Sequence, residues 1–129
     1  MDINETMNQI HLNNVNKGFW EDKENKNVGE LLMLCVSELS EALEAHRISH
    51  YANISAFEKD MENISISENS TIFKESFEKN IKNSFEDEIA DTVIRLFDLS
   101  KGLGVDLEKH IHFKMEYNKL RPYKHGKKY

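Results

Sequence analysis

The sequence predicts an all-α fold, a helical bundle of four main helices with a segment inserted between the second and the third. Three observations carry this expectation. One proline and five glycines punctuate 129 residues, too few for the turns of a β protein. Apolar residues recur at three- and four-residue spacing in four stretches. Asn27, Ser84 and Asp106 stand where helix N-caps belong. A length of 129 residues fits one domain, taken as 1–129.

Met7, Ile10 and Val15 predict a first helix from Glu5 to about Val15, ending at Lys17-Gly18-Phe19-Trp20. Asn27, with Glu30 three residues later, opens a second from Val28 to about Arg47, because each side chain can satisfy an orphan amide of the first turn. Residues 48–83 turn rich in Asn, Ser, Glu and Lys, with scattered anchors such as Phe57, Phe73 and Phe77. They are read as an insertion, part loop and part short helix. Ser84 and Asp87 open a third helix from Phe85 to Lys101, closed by Gly102. Asp106 caps a fourth from Leu107 to Leu120, which Pro122 terminates.

Seventeen basic against twenty-three acidic residues give a net charge of −6, the wrong sign for gripping duplex nucleic acid. No stretch has the length of a membrane span, and Met1-Asp2-Ile3-Asn4-Glu5 lacks the basic and apolar regions of a signal peptide. The expectation is a soluble, cytoplasmic protein with no membrane partner. Cys35, the single cysteine, allows neither an internal disulfide nor a cysteine-based zinc site. Asn-X-Ser/Thr matches at Asn53, Asn63 and Asn69 are then accidents of an Asn-rich composition.

The charges on the helices are more informative. On a helical wheel, Glu38 falls inside the apolar arc of the second helix, among Leu31, Leu34, Cys35, Leu39 and Ala42, with Glu41 at its edge. A carboxylate aimed at a core must be paired, protonated or bound to a metal, since uncompensated desolvation costs several kcal/mol. The third helix is apolar around more than half its circumference and carries Asp87, Glu88, Asp91, Arg95 and Asp98 on the remaining stripe. That stripe is either a solvated acidic face or a ligand set. Glu38-X-X-Glu41 and Glu88-X-X-Asp91, packed antiparallel, present four hard oxygen donors across one seam. Such a seam suits Mg²⁺, with Mn²⁺ as the second choice. The fourth helix and the tail have the opposite sign, with Lys114, Asn118 and Arg121 on one line and then Pro122-Tyr123-Lys124-His125-Gly126-Lys127. Met115 is expected to pack, and Cys35 to be a small core residue. Acids for metals beside bases for phosphates describe a nucleotide site.

Lys17-Gly18-Phe19-Trp20, Ser37-Glu38-Leu39-Ser40-Glu41-Ala42, Glu88-Ile89-Ala90-Asp91 with Arg95 and Asp98, Lys114-X-X-X-Asn118 and the tail Arg121 to Lys127 resemble the MazG-like branch of the all-α nucleoside triphosphate pyrophosphohydrolases, related to dimeric dUTPases. The likeness spans nearly the whole chain except 48–83. Residues 42–87, 46 in all, separate Glu41 from Glu88, more than in compact members. The resemblance implies Mg²⁺-dependent hydrolysis of a canonical or modified nucleoside triphosphate to monophosphate and pyrophosphate. It implies metal ligands at Glu38, Glu41, Glu88 and Asp91, with Glu38 or Glu41 as general base. It further implies substrate contacts from Lys17, Arg95, Lys114, Asn118, Arg121, Lys124, His125 and Lys127. Trp20 is read either as a base-stacking ring or as a core anchor. A homodimer or dimer of dimers is expected, because so apolar a third helix needs more cover than one short chain supplies. The competing expectation is a non-catalytic helical module whose acidic face binds a basic partner.

Overall fold

In the computed structural model, which describes residues 1–62 and 70–129, the chain is all-α, and the described residues hold no strand. Six α-helices follow in order: α1 (Ile3–Asn16), α2 (Val28–Arg47), α3 (Ile54–Met61), α4 (Ser70–Asn80), α5 (Phe85–Gly102) and α6 (Leu107–Lys119). Short 3-10 turns lie at Lys23–Asn25 and Tyr123–Gly126. Among the described residues no helix is long and apolar enough to cross a membrane. Of the three Asn-X-Ser/Thr matches, Asn63 and Asn69 lie outside the described residues, while Asn53 caps α3 by accepting from the Ala56 amide at 3.1 Å.

The expected caps form. Asn27 accepts from Glu30 N at 3.1 Å, Ser84 from Asp87 N at 3.2 Å and Asp106 from Lys109 N at 3.2 Å. Helix α1 begins two residues before the expected start because Asp2 caps it, accepting from Glu5 N at 2.8 Å. The helix ends differ more. Gly102 does not close α5 but is its last helical residue; the left-handed cap residue is Gly104, at φ 71°. Val105 N reaches back to Ser100 O at 2.8 Å and Gly104 N to Lys101 O at 3.1 Å, the paired bonds of a Schellman motif. The same motif closes α2, with Ser49 at φ 57° and His50 N bonded to Ala45 O at 2.8 Å.

The helices are distributed over two compact units, Met1–Lys26 with Leu96–Tyr129, and Asn27–Arg95. In the first, α1 packs on α6, and the end of α5 carries the buried Phe97 and Leu99. Its centre is Asp98, whose carboxylate accepts from His11 Nδ1 at 2.6 Å, Asn14 Nδ2 at 2.8 Å and Trp20 Nε1 at 3.0 Å. The indole of Trp20 lies against Gly102, where a side-chain carbon would come within 2.2 Å of the ring. Gly102 is thus required for close approach rather than for a turn. Met115, expected to pack, is 58% exposed.

The second unit holds α2, α3, α4 and the first part of α5. Its contacts pair ascending residues of α2 with descending residues of α5: Glu38 with Arg95 and His50 O with Phe85 N. The two helices are therefore antiparallel. Leu31, Cys35, Glu38, Ala42 and Ala45, spaced by four, three, four and three, form the inward seam of α2. Leu34 and Leu39, expected beside Glu38 on the apolar arc, are 37% and 48% exposed, because they fall off the seam that Cys35, Glu38, Ala42 and Ala45 bury. The insertion is a helical hairpin of α3 on α4. Phe57 meets Phe73 and Phe77 edge-on, while Ser76 donates to Asp60 at 2.6 Å.

Candidate metal centre and its cavities

Glu38 reaches the interior because the seam of α2 repeats every three and four residues and Glu38 falls on it. Glu88 is brought opposite by the N-cap at Ser84, which is fully buried and starts α5 at a defined register. One oxygen each of Glu38, Glu88 and Asp91 lies within 4.8 Å of the others, with Glu38 and Glu88 buried and Asp91 exposed. Glu41, one turn on from Glu38 and exposed, lies close enough to Glu38 and Glu88 for their carboxyls to influence one another. Three carboxyl groups thus meet across two antiparallel helices with Glu41 near them, where the paired Glu-X-X-Glu and Glu-X-X-Asp spacing predicts four donors.

Arg95 is the one cation bonded to this cluster among the described residues, its Nε donating to Glu38 Oε1 at 2.5 Å. The charges divide accordingly. Burial opposes ionisation of Glu38, but the bond from Arg95, then bonds from Glu41 and Glu88, outweigh it and hold the Glu38 carboxyl below its ordinary value. Glu41 is raised, first because its proton is shared with Glu38 and then by the Glu38 charge. Burial, reinforced by the charges of Glu41 and Glu38, pushes Glu88 up to about 7. Asp91 is raised by burial and by Asp87 and Glu38. One guanidinium for four carboxyls leaves negative charge that only protons or added cations can balance. An all-oxygen donor set with that deficit fits Mg²⁺ or Mn²⁺. Burial also pushes the Cys35 thiol up; it is an inert core group beside the cluster.

The structure assigns two expected substrate residues elsewhere. Arg95 is committed to Glu38, so its first role is counter-ion. Trp20 is 9% exposed, and its ring is the core anchor described above rather than an open stacking surface. Lys17, Trp20, Lys114, Asn118, Arg121, Lys124, His125 and Lys127 all belong to the first unit. There, Lys17 is the C-cap of α1 and Lys114 lies 4.9 Å from the Tyr117 ring. Arg121 is half-buried, and Lys124, His125 and Lys127 are exposed. Lys124 and His125 both take left-handed conformations, at φ 51° and 52°. Asn118 Oδ1 is buried without a hydrogen-bond partner among the described residues.

Two cavities, each of ≈ 380 Å³, flank the acidic cluster within the second unit. Glu41 and Glu88 line one, with Glu44, Ile48 and His50; Asp91 lines the other, with Phe73, Lys74, Phe77 and Lys82. Asn83 lies on the wall of both. Glu41, Glu88 and Asp91 were expected at the site; the other lining residues were not. The i,i+4 spacing of Phe73 and Phe77 was the available signal, but nothing local says that their helix returns to Asp91. Comparison with protein-family models, with curated proteins and with solved structures finds no match.

Proposed function

We propose that the chain is a Mg²⁺-dependent nucleoside triphosphate pyrophosphohydrolase, releasing nucleoside monophosphate and pyrophosphate. The observation that supports this best is the meeting of Glu38, Glu88 and Asp91 within 4.8 Å under a single bonded guanidinium. Glu38, Glu41, Glu88 and Asp91 would hold the metal, with Mn²⁺ as the alternative ion, and a cation held there would supply charge neutralisation of the phosphates and activation of water. Glu38 stays ionised because Arg95 holds it, and it is therefore a fixed ligand. Glu41 stands exposed at the rim, where a carboxylate oxygen can reach the attacking water and take its proton. A panel of canonical and modified nucleoside triphosphates with Mg²⁺, scored for pyrophosphate, tests this reading. Metal-dependent release from at least one is expected; no release from any overturns it.

Assembly is part of the same proposal. On α2, Leu32, Val36, Leu39 and Leu43 repeat at four, three and four residues and are 48–54% exposed. This is an apolar seam that a second copy of α2 matches, since a two-fold pairs like with like. Ile89 and Val93 on α5, 38% and 41% exposed, offer a further face for a dimer of dimers. Sedimentation at micromolar concentration is expected to give at least twice the 15.1 kDa chain mass, and Leu39→Glu to give the single chain with helicity retained. A wild-type protein that sediments as one chain contradicts the assembly.

A further inference from the structure

We propose that the inserted hairpin is the nucleoside reader: the base of the substrate occupies the cavity between α4 and the start of α5. The inference rests on the nucleotide reading above and adds where the base goes and which residues select it. Asp91 is the hinge of the argument, because its carboxylate belongs both to the acidic cluster and to the cavity wall. A nucleotide whose phosphates are held at the cluster therefore has its sugar and base at the mouth of this cavity. A volume of ≈ 380 Å³ lies in the usual range for small-molecule sites.

The lining suits a heteroaromatic ring. Phe73 and Phe77, four residues apart on α4, lie at 20° to each other with centroids 6.1 Å apart, and both are half-buried. The hairpin's own packing uses Phe57, which contacts both rings edge-on and does not line the cavity. Their remaining surface is available to a base, and stacking on aromatic rings is tolerant of base identity. Lys74 and Lys82 donate, and Glu78 accepts, at the same wall. These groups can distinguish bases by their carbonyl and amino positions. The second cavity is the poorer seat. Glu41, Glu44 and Glu88 line it, and His50 is its only aromatic ring.

The test uses the full chain with Mg²⁺ and nucleoside monophosphates, which have no pyrophosphate to release, so that binding is read apart from hydrolysis. Phenylalanine-labelled protein is titrated with the canonical nucleoside and deoxynucleoside monophosphates and followed by NMR. The expected result is saturable shifts at Phe73 and Phe77, with Phe113 on α6 unmoved. Phe77→Leu, checked for wild-type helicity, is expected to weaken that binding at least tenfold and to flatten the ranking of bases in the hydrolysis panel. Lys74→Glu with Lys82→Glu, at exposed positions, is expected to raise KM with less change in kcat. Absence of shifts at both rings at millimolar monophosphate, or an unchanged base ranking in folded Phe77→Leu and in the double lysine variant, overturns the assignment. If wild-type protein hydrolyses triphosphates and those variants rank bases as it does, the hairpin reading fails alone. If it hydrolyses none yet shows the ring shifts, the cavity assignment stands and the hydrolase reading fails.

Discussion

Glu88→Gln is expected to take Mg²⁺-dependent pyrophosphate release to background while making the metal-free chain more stable above pH 7. The two effects have one cause. Glu88 is buried, and its carboxyl is pushed up to about 7 from an ordinary 4.5, so between those values the folded chain binds a proton that the unfolded chain has released. The stabilisation is complete below pH 4.5 and is lost as pH rises through about 7. At about 1.4 kcal/mol per pH unit, the loss is at most about 4 kcal/mol. Glutamine keeps one donor and one acceptor and carries no charge, so it avoids that loss. It would also remove one of the proposed metal ligands, which should cost more than the roughly 10–100-fold that outer-shell partners cost. Mg²⁺ should stabilise the wild type more at pH 8 than at pH 5.5, because it competes with protons for the carboxylates. Melting curves with and without Mg²⁺, run beside the pyrophosphate assay, check all of this. Full turnover in Glu88→Gln, or equal Mg²⁺ stabilisation of variant and wild type, removes Glu88 from the metal centre.

Gly102→Ala is expected to cost about 1–3 kcal/mol, although alanine is ordinarily the better helix former by about 1 kcal/mol. The added carbon would lie 2.2 Å from Trp20 Cη2 and 2.6 Å from Cζ2 and Cζ3, all atoms of one rigid ring. The ring cannot retreat without pulling Nε1 from Asp98, which also organises His11 and Asn14. Overpacking and a weakened polar hub therefore act together. Trp20 is the only tryptophan, so its emission reports directly on the site. A red-shifted maximum and a lower urea midpoint are expected; an unchanged spectrum and midpoint would show that the contact has room to relax.

The sequence alone suffices for the all-α class, the bounds of α2 and nearly those of α5 and α6, because caps and apolar period are local properties read within one turn. It also placed Glu38 on the inward arc of α2 and matched it with Glu88 and Asp91, since a three-residue spacing on a helix fixes a shared face. It left three things undecided. Whether Gly102 caps a helix or makes room for a ring depends on Trp20, 82 residues away in the chain. Whether Arg95 meets substrate or a carboxylate depends on Glu38, on another helix. Whether the insertion merely connects two helices or lines the site depends on the return of α4 to the start of α5, with Phe73 and Phe77 on the same cavity wall as Asp91. Each of these is set by contacts between residues far apart in the chain, and those contacts form only when the helices pack.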